Sequence, residues 1–346
     1  MKLKVEVALC AAVLAFFAGC AKDSSPSSPA NPAVVLSDCT TWKKADVTSP
    51  FTASDWPTAL VYDNKMWLIG GRDKNGNTLA EVWSSSNGTD WTLTTGNAAF
   101  GPRFRHASVV YNNKMWVIGG TPLDGQSPDA VNDVWSSSNG ADWTLVTGNA
   151  QFGARFSHRA VVFNGRIYVM AGNEPGGGSL LNDVWSSQNG ADWTLVTQNA
   201  LFSGRNNPEV FVFNDKIWLT GGYDAVSVSH ISGNNYDGET NDLWNSSNGA
   251  DWTLVTGNAA FTPRTGLTAF AVDGKIFVGM GYDDNIDVNN DLWFSTDGKY
   301  WTLVTWNLTD SARMRARALV FSGKAWILGG STCPGNCPTN EVYFAD

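Results

Sequence analysis

Three groups of residues carry side chains suited to recognising or transforming an acidic ligand. Arg103, Arg155, Arg205, Arg264 and Arg313 recur at one position in five of six repeats. A guanidinium grips a carboxylate through two parallel hydrogen bonds, so a ring of them suits an acidic small molecule or an acidic sugar. The same five residues are equally suited to buried pairing with Asp133, Asp183, Asp242 or Asp291 across blades, and their blade-by-blade recurrence favours this structural role. The second group breaks the repeat. His106 and His158 share one position, and Arg159, Glu209 and Arg317 occupy the next. Histidine with a carboxylate is the usual equipment of general acid–base chemistry, although loop polarity without chemistry also yields such a set. The third group heads the variable loops: Glu174, Tyr223, Asp224, His230, Tyr282 and Asp283. Glu174 is the candidate catalytic residue, and the five recurrent arginines, His106, His158, Arg159, Glu209, Arg317, Tyr223, His230 and Tyr282 are the ligand-binding candidates. No metal site or cofactor is expected. Asp287-Val-Asn289-Asn-Asp291 has the alternation of a calcium loop, but it lacks the required Gly and the distal Glu.

The elements that position these residues are read from a sentence written six times from residue 39 onward. One copy runs FRHASVVYNNKMWVIGG, a variable loop, then NDVWSSSNGADWTLVTGNA. The second glycine of the Gly pair falls at 71, 120, 172, 222, 281 and 330, so the period is close to 50 residues. Each copy parses into four strands: a (Ala107 to Tyr111), b (Lys114 to Gly119), c (Asn132 to Ser137) and d (around Trp143 to Val146). Asn-Gly dipeptides at 87–88, 139–140, 189–190 and 248–249 and Asp297-Gly298 favour the positive φ of hairpin turns between c and d. Four antiparallel strands repeated radially make a propeller blade. Large aromatic residues stand at fixed phase, as in Trp67, Trp116 and Trp218 on strand b and Trp91, Trp143 and Trp193 on strand d, and are read as core between sheets.

The last repeat stops after strand c. The missing strand d stands at the other end of the chain, Thr41-Trp42-Lys-Lys-Ala-Asp-Val47, and Trp42 lies one period before Trp91. The N-terminal strand therefore completes blade six and removes two exposed sheet edges. The b–c loops emerge together around the central channel and vary most, which marks them as the binding face.

The Gly pair, the Asn-Asp-Val-Trp of strand c (132–135 and 182–185) and the strand-d Trp resemble the kelch repeat, and the resemblance covers roughly residues 39–346. It implies an all-β, six-bladed kelch-type β-propeller. Ala171 and Met280 depart from it by replacing the first glycine of the pair, which a small local shift would accommodate. The c–d turns resemble a shortened Asp-box of sialidase propellers, a turn element that implies no sialidase activity.

Residues 1–20 have a positive start (Lys2, Lys4), an apolar stretch from Val7 to Ala18 too short to span a bilayer, and the ending Phe17-Ala18-Gly19-Cys20. This resembles a bacterial lipoprotein signal, which makes Cys20 the lipidated residue and the membrane a partner through that lipid. A plain secretory signal is the other reading. Residues 21–37 are a Ser/Pro-rich tether and 38–346 the propeller. The resemblance implies a bacterial cell-envelope location, at the outer membrane or facing the periplasm. Export permits disulfides, and Cys333 pairs with Cys337 in one b–c loop while Cys39 stays free.

Net charge of −9 with no basic run excludes nucleic acid. The expected protein is a monomeric binding module for a glycan, peptide or protein on the loop face. The alternative is a sugar mutarotase or epimerase similar to the kelch-type sialic acid epimerases, with Glu174 and the arginines in its site. A third reading, an oxidase similar to galactose oxidase, needs copper held by Tyr and His, and only three His are present.

Overall fold

The computed structural model describes residues 41–122, 130–224, 238–283, 285 and 287–345. The signal and tether expectations, Cys20, Cys39 and His230 lie outside them.

Strand β1 (Trp42–Lys44) opens the described chain. Blade one is β2 (Thr58–Tyr62), β3 (Lys65–Ile69), β4 (Val82–Ser85) and β5 (Thr92–Thr95). Blade two is β6 (Ala107–Tyr111), β7 (Lys114–Gly120), β8 (Val131–Ser137) and β9 (Thr144–Thr147). Blade three is β10 (Arg159–Phe163), β11 (Arg166–Met170), β12 (Val184–Ser187) and β13 (Thr194–Thr197). Blade four is β14 (Glu209–Phe213), β15 (Lys216–Thr220), β16 (Leu243–Ser246) and β17 (Thr253–Thr256). Blade five is β18 (Thr268–Val272), β19 (Lys275–Gly279), β20 (Leu292–Ser295) and β21 (Thr302–Thr305). Blade six is β22 (Arg317–Phe321), β23 (Lys324–Leu328) and β24 (Val342–Ala345), completed by β1.

The fold is therefore an all-β six-bladed propeller of four antiparallel strands per blade, as the repeat implies. The a strands β2, β6, β10, β14, β18 and β22 touch in cyclic order around the channel. β1 pairs with β24, setting Trp42 opposite Ala345 and Lys44 opposite Tyr343. The segment after β1 then joins the outer edge of blade one, where Trp91 donates its N–H to Ser49 O at 2.9 Å. The N-terminus thus bridges the first and last blades.

Packing between blades explains the aromatic positions. Strand-b rings press on the c–d turn of the following blade. A Cβ at Gly140 would lie 2.1 Å from the Trp67 ring, and one at Gly190 2.2 Å from Trp116. The turn glycine is therefore required twice, by its positive φ and by the ring above it. Strand-d tryptophans meet edge-on a Phe from the preceding linker, as in Phe152–Trp193 at 4.9 Å. Strand-c tryptophans are only half-buried. A bulge just before each (Val134/Trp135, Val184/Trp185) turns the ring so that Nε1–H donates to the carboxylate two residues back, at 2.7 Å for Trp135–Asp133.

Ala171 and Met280 require no local shift. They adopt φ of 62° and 60°, the left-handed conformation of the glycines they replace, and are fully buried. Cys333 and Cys337 form the expected disulfide in the blade-six b–c loop. In that loop Asn336 Nδ2 donates to Asp73 O of blade one at 2.8 Å.

Candidate functional site

The five recurrent arginines do not project into the channel mouth. Each main chain is fastened to the preceding blade, as where Arg155 N donates to Val131 O and Arg155 O accepts from Gly120 N. The side chain then turns to the next blade and grips its strand-c carboxylate. Arg155 reaches Asp183 through two bonds of 2.7 and 2.8 Å, and Arg205 reaches Asp242 at 2.6 and 2.8 Å. Arg103–Asp133 and Arg264–Asp291 repeat the arrangement, and Arg313 uses Glu341 at 2.8 Å. Each guanidinium also donates to a backbone carbonyl at the Gly-pair position, such as Ala171 O for Arg155. All five are at most 2% exposed. They staple blade to blade and leave the ligand-binding set. Blade one has Ser54 at this position. Because Asp291 is held by Arg264 and Trp293, the calcium-like spacing around it is the blade repeat.

His106 and His158 are buried against the glycine pairs, which have no side chain to exclude them; a Cβ at Gly119 would meet the His158 ring at 2.9 Å. Burial, and then Arg103 or Arg155 nearby, lowers both well below the usual imidazole range, so both are neutral at pH 7. His106 Nε2 lies 2.9 Å from Thr58 Oγ1. They are packing residues rather than an acid–base pair. Glu174 stands exposed at the head of the short 3₁₀ turn Pro175–Gly177 and does not line the mouth.

What does line the mouth is a column that sequence reasoning passed over. Two residues after each recurrent arginine, or after Ser54 in blade one, and two before strand a, stand Trp56, Arg105, Ser157, Asn207, Gly266 and Arg315. All six have positive φ, between 49° and 62°. Five of them carry side chains in a conformation that favours glycine, and such strain collects at functional sites. Main-chain bonds run along this belt: Ser157 N to Arg105 O, Asn207 N to Ser157 O and Arg315 N to Gly266 O, at 2.7–2.9 Å. All of the belt but Gly266 lines a cavity of about 240 Å³ completed by Phe156, Asn173, Asn206, Tyr223, Thr265 and Tyr282. Of the expected loop residues, Tyr223 and Tyr282 are thus brought to the site.

The cavity is cationic in an acidic chain. Arg105 and Arg315 both stack on the Trp56 ring, at 4.9 and 4.4 Å. Asp55, fully buried, accepts from Arg315 at 2.8 Å, with Arg72 at 3.6 Å. Burial pushes the Asp55 carboxyl up against the pull of Arg315 and Arg72. Burial, followed by Arg315 and Arg72, brings Arg105 down to about 10, so it remains charged at pH 7. Three guanidiniums face one carboxylate. Among the described residues, Trp56 Nε1, Arg105 Nε, Asn173 Oδ1, Asn207 Oδ1, Thr265 Oγ1 and Arg315 Nε are buried without a hydrogen-bond partner. Donors, acceptors and aromatic faces thus converge where a small polar anion fits.

Deeper in the channel, Arg159, Glu209 and Arg317 are brought together. Glu209 Oε1 accepts from Arg159 Nη2 at 2.8 Å and from Arg317 Nη1 at 3.2 Å. The signal for the whole assembly lies in Arg313-Met-Arg315-Ala-Arg317. Its alternate residues serve the blade staple, the mouth and the bore in turn.

No curated protein matches the chain in sequence. The KLHDC2/KLHL20/DRC7 Kelch-repeats domain matches residues 5–222, and kelch propellers commonly serve as protein-interaction modules. With that match over more than half its length, the chain belongs to the kelch-repeat domain family.

Proposed function

We propose that the protein is a bacterial, exported, lipid-anchored binding module whose channel mouth takes an acidic, hydroxyl-bearing ligand, namely a free sugar acid or the acidic residue of a glycan. The observation that carries this reading is the cationic belt of Arg105 and Arg315, set among buried Asn, Thr and Trp polar atoms that have no partner among the described residues. A carboxylate answers the guanidiniums, hydroxyls answer Asn173, Asn207 and Thr265, and the sugar face has Tyr223 and Tyr282 to stack on. Each buried polar group left alone costs about 1–3 kcal/mol, which a ligand's hydrogen bonds would recover. Binding without turnover fits better than epimerisation. Glu174 is exposed and does not line the mouth, and the Asp55 carboxylate is engaged by Arg315.

A screen of the full chain against acidic glycans and sugar acids, each beside a neutral analogue of the same size, tests the reading. Acids alone should bind, and Arg105→Ala should lose them; equal retention of neutral analogues would refute it. Anchoring is tested by metabolic labelling with a fatty acid, which should mark the wild type and leave Cys20→Ser unlabelled.

A further inference from the structure

Below the mouth, the first two residues of the a strands line a second cavity of about 180 Å³. The second position is small in most blades, Ala59, Ser108, Ala160, Ala269 and Ala318, so side chains do not fill the bore. Two cations, Arg159 and Arg317, face it with one carboxylate, Glu209, and a single oxygen of Glu209 serves both. Arg159 is 9% exposed and Arg317 13% over its side chain. Among the described residues, Arg159 Nε and Ser108 Oγ are buried without a partner. His106, which also lines the cavity, is neutral and adds no charge. Asp55, the next carboxylate toward the mouth, is held by Arg315 and Arg72. Among the described residues the bore therefore holds one uncompensated positive charge, and an unpaired buried charge destabilises the fold. Burial, followed by the repulsion of Arg159, brings Arg317 down to about 10, which leaves it protonated at neutral pH.

We propose that this bore is a binding site for a small monovalent anion, of the halide class, held between Arg159 and Arg317 with Ser108 Oγ as a further donor. The bound anion balances the charge and braces β10 of blade three and β22 of blade six across the channel axis. The site is distinct from the mouth and stands whether or not the mouth binds a sugar acid.

The test is the melting temperature of the full chain in sodium chloride and in sodium 2-(N-morpholino)ethanesulfonate at equal ionic strength and pH 7, that sulfonate being too large for the bore and neither a carboxylate nor a sugar. Chloride should raise Tm by about 2 °C or more, saturably. Arg159→Met, which leaves Glu209 and Arg317 as a neutral pair, should abolish the difference, while Arg105→Ala should keep it. Should Arg159→Met fail to fold, Glu209→Gln decides. It preserves shape and removes the competing carboxylate, so half-saturation should move to roughly tenfold lower chloride. Identical wild-type Tm in the two salts would overturn the proposal. So would a chloride effect that survives Arg159→Met, or one that Glu209→Gln leaves at the same half-saturation.

Discussion

Removing the carboxylate from one blade staple, Asp183→Ala, leaves Arg155 in a site where its side chain is 1% exposed. Two charge-assisted bonds of 2.7 and 2.8 Å disappear. The guanidinium keeps Ala171 O at 3.2 Å and Gly153 O at 3.1 Å, neither of which carries charge. Trp185 Nε1 also loses its acceptor at 2.7 Å. Breaking a buried pair on one side costs about 3–5 kcal/mol, and the Trp185 bond falls within that figure. The loss should grade with solvent access. Asp291, 4% exposed, should cost as much, and Asp133, 17% exposed, clearly less because water screens the orphaned charge. Replacing both partners with apolar residues, Arg155→Met with Asp183→Leu, should restore most of the stability. Denaturant unfolding at constant m-value reads these differences as midpoint shifts. An Asp183→Ala variant within about 1 kcal/mol of wild type, or a double variant no better than the single, would refute the staple.

Deleting residues 41–47 removes β1 and bares the β24 edge, so Tm should fall sharply and aggregation should follow; a truncated chain that melts like the intact one would contradict ring closure. Ala171→Gly should leave stability unchanged or raise it by up to about 1 kcal/mol, because relief of left-handed strain offsets the added freedom of the unfolded chain. A loss beyond about 1 kcal/mol would argue against strain at that residue. Acid sensitivity follows from Asp242 and Glu341. Burial alone would raise both carboxyls, but Arg205 outweighs it for Asp242, and Lys44 with Arg313 outweighs it for Glu341, leaving each folded pKa lowered. Their contribution is complete above the unfolded value, about 4, and is lost as pH falls through the lowered folded value. His106 and His158, neutral in the fold, add a loss that sets in below the unfolded imidazole value of about 6.5, so urea midpoints should decline from pH 6 and continue to fall toward pH 3; a flat profile would contradict this.

The architecture was legible because it is written six times. The Asn-Gly turns, the Trp phases and the displaced Trp42 strand each specify one element and agree with one another. The staples were half legible. Their arginines recur, but the partner carboxylates lie 27 to 37 residues on, across loops of varying length, so sequence left pairing and ligand binding both open. The mouth was the least legible. Glycine ordinarily announces a left-handed backbone, yet only Gly266 does so in that column, and Trp56, Arg105, Ser157, Asn207 and Arg315 adopt it unannounced. The readable signal there was the breakdown of repetition itself. It did point to Arg159, Glu209 and Arg317, and in Glu174 it pointed to a side chain turned to solvent.

The mouth reading rests on guanidiniums that discriminate charge. The measurement that tests it most directly is calorimetric titration of the intact protein with the tightest-binding sugar acid and with that acid's uncharged amide. Wild type should bind the acid at least tenfold more tightly than the amide, a preference of about 1.4 kcal/mol, and Arg315→Met should erase it. Equal affinity for the two ligands in wild type, or a preference that Arg315→Met leaves intact, would contradict it.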